Sequence, residues 1–291
     1  MLNPPVTRER FMEILPYICD EETSSDPAGW RKENPLWGQC AVVSLLAQNI
    51  FGGELLRASL SGTPFAEMRS HYWNVFSDKT MEDFTAGQFK ESYPITGDMV
   101  IETRSRQSVL FHPITGQPQE IMKRYKRLAW KFARDIYPNN ALLENRTYEE
   151  CFNEALESTC QKMWFGCVVR HRGGIIAQTH NQAVPELQCL CEPTCTEPIL
   201  GACGHAEEFA IWEAVQKKIP LSECDLFIAG FFTNGLPWLK TQAEYTCLRC
   251  AVQMKMAGVE SIWVPVQNHW EMISPAEALK GAITKQKEAG S

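Results

Sequence analysis

Two stretches, HAEEFAIWEA (205–214) and TCLRCAVQMKMAGVESIWVPV (246–266), decide how the second half of this chain is built. Each opens a helical pattern with residues that bind metal: His205 at the head of a helix expected over 205–219, and Cys247 and Cys250 at the head of one expected over 247–257. Spaced three apart in a first turn, the two cysteines share one helix face. The unpaired N–H groups of a helix N-terminus also favour thiolates there. Between the two helices Asp225–Phe232 reads as a buried strand. If that strand lies between them, both helix N-termini meet at one end of a sheet.

Outward from this centre the pattern alternates cleanly. Thr147–Met163 reads as a helix with Thr147 as N-cap and Glu150 at the capping-box position. Trp164–His171 and Gly174–Asn181 read as strands joined by an Arg-Gly-Gly turn, and Ser261–Val266 as another strand. A last helix is expected from Pro275 to Lys287. The order α-β-β-α-β-α-β-α predicts a layered α/β domain. Tyr137-Pro138-Asn139-Asn140 reads as the linker before it, which divides the chain into 1–137 and 138–291.

The residue types at the centre suit one chemistry. His205, Cys247 and Cys250 would give Zn2+ three ligands and leave the fourth position open to a water, whose pKa such a metal lowers toward ~7. Glu207, two residues past His205, reaches that water without ligating the metal, so it can carry protons as general acid and base. A structural zinc knot needs four closed ligands and gives no reason for Glu207. The pattern H-x-E followed by C-x-x-C is that of zinc deaminases.

Residues 147–270 resemble the cytidine/deoxycytidylate deaminase superfamily through HAEEFAIWEA, TCLRCAVQMKMAGVESIWVPV, the strand between them and the preceding hairpin. Thr246 stands before Cys247 where many members have proline, which bears on the turn and not on the metal. The resemblance implies an α/β/α layered sheet and one catalytic Zn2+ on His205, Cys247 and Cys250. It further implies Glu207 as the proton carrier and substrate contacts at Ala206 and Asn181, the latter where the family's asparagine meets the sugar. The expected reaction converts a cytosine-type base of a free nucleoside or nucleotide to uracil with release of ammonia. Alternatives are a base within DNA or RNA, or another amino-heterocycle. Relatives of this fold often assemble, so a homo-oligomer is expected. Cys189, Cys191, Cys195 and Cys203 crowd the loop before His205 and could hold a second, structural zinc, as some deoxycytidylate-type deaminases do.

The first half reads differently. Amphipathic Arg8–Ile18 and apolar 36–57 are helical, the latter with Val42, Leu45, Leu46 and Ile50 on its apolar face and Gly52-Gly53 at its end. Strand-like His71–Phe76 and a basic helical stretch over 121–134 follow. Cys40 at a helix N-terminus, then His71, then Asp83 (or Asn74) is the order of a papain-like thiol site: nucleophile, base and orienting group. GQCAVVSLLAQNIFGGELLR, SHYWN and DFTAGQF resemble the YunG-like family. That resemblance implies a small α+β papain-like domain. A thiol hydrolase or binding protein using Cys40 and His71, with the zinc half as scaffold, is the rival reading.

The chain's 291 residues suffice for two cores. Its net charge of −7 splits into −1 for residues 1–135 and −6 for 136–291. A phosphate-gripping surface is normally basic, so the acidic half favours a small substrate over long nucleic acid. No apolar run reaches 18 residues and the N-terminus lacks a signal-type core, so a cytoplasmic protein without a membrane partner is expected. Of Trp212, Trp238, Trp263 and Trp270, we expect Trp270 to line the substrate pocket. His171, His180 and His269 are expected to face solvent at strand ends. The run Lys123-Arg124-Tyr125-Lys126-Arg127 reads as a solvated helix face.

Overall fold

The computed structural model describes residues 6–90, 92–110, 120–160, 163–183, 203–232, 237–239 and 247–289. The chain falls into two compact units, Leu2–Ile136 and Tyr137–Ser291. No helix among the described residues is long and apolar enough to cross a membrane.

In the first unit α1 (Arg8–Ile18) begins at Thr7, whose side chain accepts the Arg10 N–H. Helix α2 (Cys40–Phe51) is buried on nearly every side through Ala47, which its unbroken apolar run requires. It stops at Gly52, where φ is +77°. Strands β1 (Glu54–Ser59), β2 (Ser70–Val75), β3 (Met81–Glu82) and β4 (Ile101–Arg104) form an antiparallel sheet in the order β3-β2-β1-β4. A short α3 (Arg106–Leu110) and a long α4 (Glu120–Ile136) complete the unit. Phe11, Phe51, Phe76 and Phe84 interlock, with Phe11 and Phe84 edge-to-face at 5.0 Å and Phe132 from α4 joining them.

One expectation holds in this unit and one fails. The helix within 36–57 ends at Gly52-Gly53 as expected, and Glu54 onward is strand β1. The basic run in α4 is not a solvated face, because Arg124 and Lys126 are buried along with Met122 and Tyr125. A 17-residue helix packed on both α1 and α2 turns these stems inward and ties the Arg124 guanidinium to the Thr23 carbonyl at 3.2 Å.

In the second unit come α5 (Arg146–Glu157), β5 (Met163–His171), β6 (Gly174–His180), β7 (Gln182–Ala183), β8 (Cys203–Gly204), α6 (Ala206–Gln216), β9 (Cys224–Phe232), α7 (Leu248–Ala257), β10 (Ser261–Val266), β11 (His269–Ile273) and α8 (Pro275–Ala289). Five strands make one mixed sheet, β11-β10-β9-β5-β6, with β9 and β10 parallel and every other pairing antiparallel. Arg172 and Gly173, both at positive φ, close the β5–β6 hairpin. Leu226 and Ile228 face the core shared with α6, α7 and α8, while Phe227 and Phe231 point to the other face. On that other face α5 packs, so the unit is an α/β/α layered sandwich.

Helix α5 is capped two residues before the expected Thr147. Its N-cap is Asn145, whose Oδ1 accepts the N–H groups of Thr147 at 3.0 Å and Tyr148 at 3.3 Å. Glu150 forms no capping box; it pairs with Arg170 on β5 and with Arg146 one turn before it. The helix ends at Glu157 and not at Met163, because the backbone turns extended at Ser158. Strand β11 was not anticipated: a two-residue turn after β10 folds it back antiparallel.

Candidate active site

Helices α6 and α7 both begin at the end of the sheet where β9 finishes, since α6 leads into β9 and α7 leads out of it. His205 and Cys247 are not the first helical residues but the N-caps, both in extended conformation. From there their side chains turn toward each other, and Cys250 joins from the first turn of α7. The ligand atoms of His205, Cys247 and Cys250 all lie within 4.8 Å of one another. His205 Nδ1 is 3.2 Å from Cys250 Sγ and 3.4 Å from Cys247 Sγ. Donors on a tetrahedral zinc with ordinary N and S bond lengths stand roughly 3.5 Å apart. The donor set and its spacing therefore fit zinc.

The electrostatics match a metal site seen through its ligands. Cys247 is pushed down to about 4, first because the Cys250 thiol donates to it, then through His205 and the Cys250 N–H, all outweighing burial. Cys250 is pushed up by that same pairing and by burial. His205 is raised, chiefly by its bond with Cys247. Glu207 is 6% exposed and raised by burial, with His205, Cys247 and Glu208 the charges around it. Its own backbone N–H favours the carboxylate, against that burial.

Glu208, unremarked in the sequence reading, ties the two ligand helices together. Its carboxylate accepts the His205 N–H at 2.9 Å, both the Nε and an Nη of Arg249, and Gln253 Nε2 at 2.8 Å. Arg249 sits between the two cysteines, so one carboxylate sets the start of α6 against the start of α7. The signal was present as a capping-box spacing, His205 to Glu208, hidden because histidine is not a usual cap residue.

Of the expected substrate contacts, Ala206 is fully buried and its carbonyl accepts Thr179 Oγ1 at 2.7 Å, which fixes α6 to β6. Asn181 follows β6 directly, and its neighbour Gln182 pairs with Gly204, one residue before His205. Its Oδ1 accepts from Phe165 N and Ser158 Oγ, and its Nδ2 donates to Met163 O, so the side chain is rigidly held.

Trp270 does not line this site. Strand alternation puts it on the opposite face of the sheet, against Tyr148 and Phe227, with its indole N–H on Asn145. Trp238 lies instead on the face that carries α6 and α7. It follows β9, packs edge-on against Phe165 at 5.4 Å and borders the core that holds Cys250. Its place in the chain between the two ligand motifs was the available signal.

Trp263 stacks on Phe227, and Trp212 is exposed on α6. His171 and His180 pair with Glu223 and Glu154. Cys203 lies in β8, half-buried, whereas Cys189, Cys191 and Cys195, the rest of the proposed second zinc site, lie outside the described residues.

In the first unit His71 is fully buried and its Nε2 meets Asp83 Oδ2 at 2.6 Å. Asn74 does not orient it; its side-chain amide donates to the Ser44 carbonyl. Cys40 opens α2, with Sγ 3.9 Å from the carbonyl of Ser70, the residue before His71.

Residues 143–265 match the family model of the cytidine and deoxycytidylate deaminase zinc-binding region, and residues 7–135 match that of the YunG protein. No curated protein matches the chain. Each half of the chain is thus similar to a family of its own, the first to the YunG protein and the second to the zinc-binding region of the cytidine and deoxycytidylate deaminases.

Proposed function

We propose that the second unit hydrolytically deaminates a cytosine-type base of a free nucleoside or nucleotide, giving the uracil product and ammonia. The observation that carries this reading is Glu207: a buried carboxyl two residues from the three-donor cluster of His205, Cys247 and Cys250. When bound by His205, Cys247 and Cys250, zinc supplies Lewis acidity toward water at neutral pH. The Glu207 carboxylate takes the proton of the attacking water and delivers it to the ring nitrogen. It then takes the remaining proton from the hydroxyl newly bonded to the ring carbon and passes it to the amine, which leaves as ammonia while that hydroxyl becomes the carbonyl. Its raised pKa suits that double duty, because a group that both accepts and donates works best near the operating pH.

The resemblance to the deaminases supports Ala206, at the start of α6, as the contact to the base and Asn181 as the contact to the sugar. The charge of −6 over residues 136–291 supports a small substrate rather than a polyanion. The test is ammonia release across cytosine and adenine nucleosides, their mono- and triphosphates, and single-stranded oligonucleotides. Release from free cytosine compounds is expected, with Glu207→Gln keeping its zinc and losing about 10²–10⁴-fold in rate. Full activity in Glu207→Gln would refute the assignment, and turnover confined to oligonucleotides would refute the substrate class.

A further inference from the structure

Three buried polar atoms around Cys40 have no hydrogen-bond partner: His71 Nδ1, Gln39 Oε1 and Arg124 Nε. Orphaned atoms of this kind are rare in a folded core and call for an explanation. Gln39 is the residue before Cys40, and Arg124, whose Nε faces Glu120 at 3.9 Å, lies on α4 against α2. Both are anchored on one loop, Gln39 Nε2 donating to the Asp20 carbonyl at 2.8 Å and Arg124 to that of Thr23 at 3.2 Å.

The histidine is held from the other side. Asp83 Oδ1 accepts the Thr85 N–H at 3.0 Å and its hydroxyl at 2.9 Å, while Oδ2 takes His71 and the Tyr93 hydroxyl at 2.9 Å. Trp73 stacks on the imidazole, and Phe89 meets it edge-on at 4.9 Å. With Nε2 committed to Asp83, Nδ1 is the nitrogen left for the thiol.

We propose that Cys40, His71 and Asp83 form a second active site, a thiol nucleophile that cleaves the acyl C–N or C–O bond of a slender amide or ester. Burial works against a charged His71, yet Asp83 and then Cys40 outweigh it and raise the ring to about 9. Cys40 sits at the N-terminus of a 12-residue helix, where the backbone favours an anionic sulfur. Its 6% exposure confines the substrate to an unbranched acyl group that can reach inward.

In the reaction the sulfur bonds to the carbonyl carbon as the C–N or C–O bond breaks. The thiol proton passes through Nδ1 to the leaving amine or alcohol. Water then adds to the thioester and yields its proton to Nδ1, and the acid departs as the thiol is restored. No redox partner is required. This site stands apart from the deamination reading, since it uses residues of the first unit alone.

The test uses the full chain. Iodoacetamide at pH 6, read by peptide mass, is expected to alkylate Cys40 at least about ten-fold faster than in His71→Ala. With p-nitrophenyl acetate, a burst of p-nitrophenol and an acetyl group on the Cys40 peptide are expected. Both are lost in Cys40→Ala, with zinc content and circular dichroism as folding controls. Alkylation at pH 6 that is equal in wild type, His71→Ala and Asp83→Asn overturns the proposal. So does an acetyl adduct on other cysteines only.

Discussion

Replacing Glu208 by alanine removes the clamp between the two metal-ligand helices, and the structure sets the size of the effect. Four donors lose their acceptor: the His205 N–H, the Nε and Nη of Arg249, and the Gln253 amide. The Glu208 side chain is 14% exposed and that of Arg249 33%, so the ion pair is partly screened. The cap and amide bonds each contribute about 1 kcal/mol and the guanidinium pair somewhat more, roughly 3 kcal/mol together. For a unit of this size that lowers Tm by about 6–12 °C.

The larger consequence concerns the metal. With α6 and α7 no longer registered, His205 and Cys247 lose their mutual placement, and zinc affinity should fall about 10–100-fold, as it does when outer partners of ligands are removed. Competition against a chromophoric chelator measures the affinity, and scanning fluorimetry the stability. Glu208→Gln keeps an acceptor for the His205 N–H but loses the charge facing Arg249, and should fall between the two. If Glu208→Ala binds zinc within two-fold of wild type and melts within about 2 °C of it, the clamp does not position the ligands.

Gly166→Ala should destabilise the second unit by at least about 3 kcal/mol. An added Cβ would stand 1.7 Å from the Cys151 carbonyl oxygen, which is backbone of α5, so the helix must move; a urea midpoint equal to wild type would contradict this. Stability of the first unit should fall as pH rises. His71 is raised to about 9 in the folded state, so its contribution is complete below the unfolded value near ~6.5 and is lost between there and about 9, roughly 3 kcal/mol in all. Asp83 acts in the opposite sense, since its pKa is depressed and its contribution disappears as acid protonates it. Hydrogen exchange of strand β2 at pH 6.5 and pH 9, corrected for intrinsic rates, reads this out, and unchanged protection would refute it. Trp238→Ala should raise KM for the deaminated substrate several-fold with little change in Tm, whereas Trp270→Ala should lower Tm and leave KM alone; the reverse pattern would put the pocket on the other face of the sheet.

Much of this architecture is local and was legible in the residues. Helix α1, strand β10 and the β5–β6 hairpin follow from periodicity and turn chemistry, and their observed spans agree with the reading to within a residue or two. The His205, Cys247 and Cys250 pattern carries its chemistry in residue type and spacing, because a metal site needs a few particular atoms rather than a broad surface. Side-chain facing was not legible at the ends of elements. Trp270 could be assigned to a face only once β11 was known to pair with β10, and the buried Arg124 and Lys126 only once α4 was seen between other elements.

By itself the sequence determined the two halves, the alternating elements of the second and the donor set of the metal. Tertiary structure alone decided that Glu208 joins α6 to α7, that Trp238 rather than Trp270 borders the core that holds Cys250, and that Asp83, not Asn74, holds His71. The physical reason is one of range. Periodicity and capping act over a few residues, whereas these three choices depend on which side chains meet across long loops, and such meetings are settled by packing.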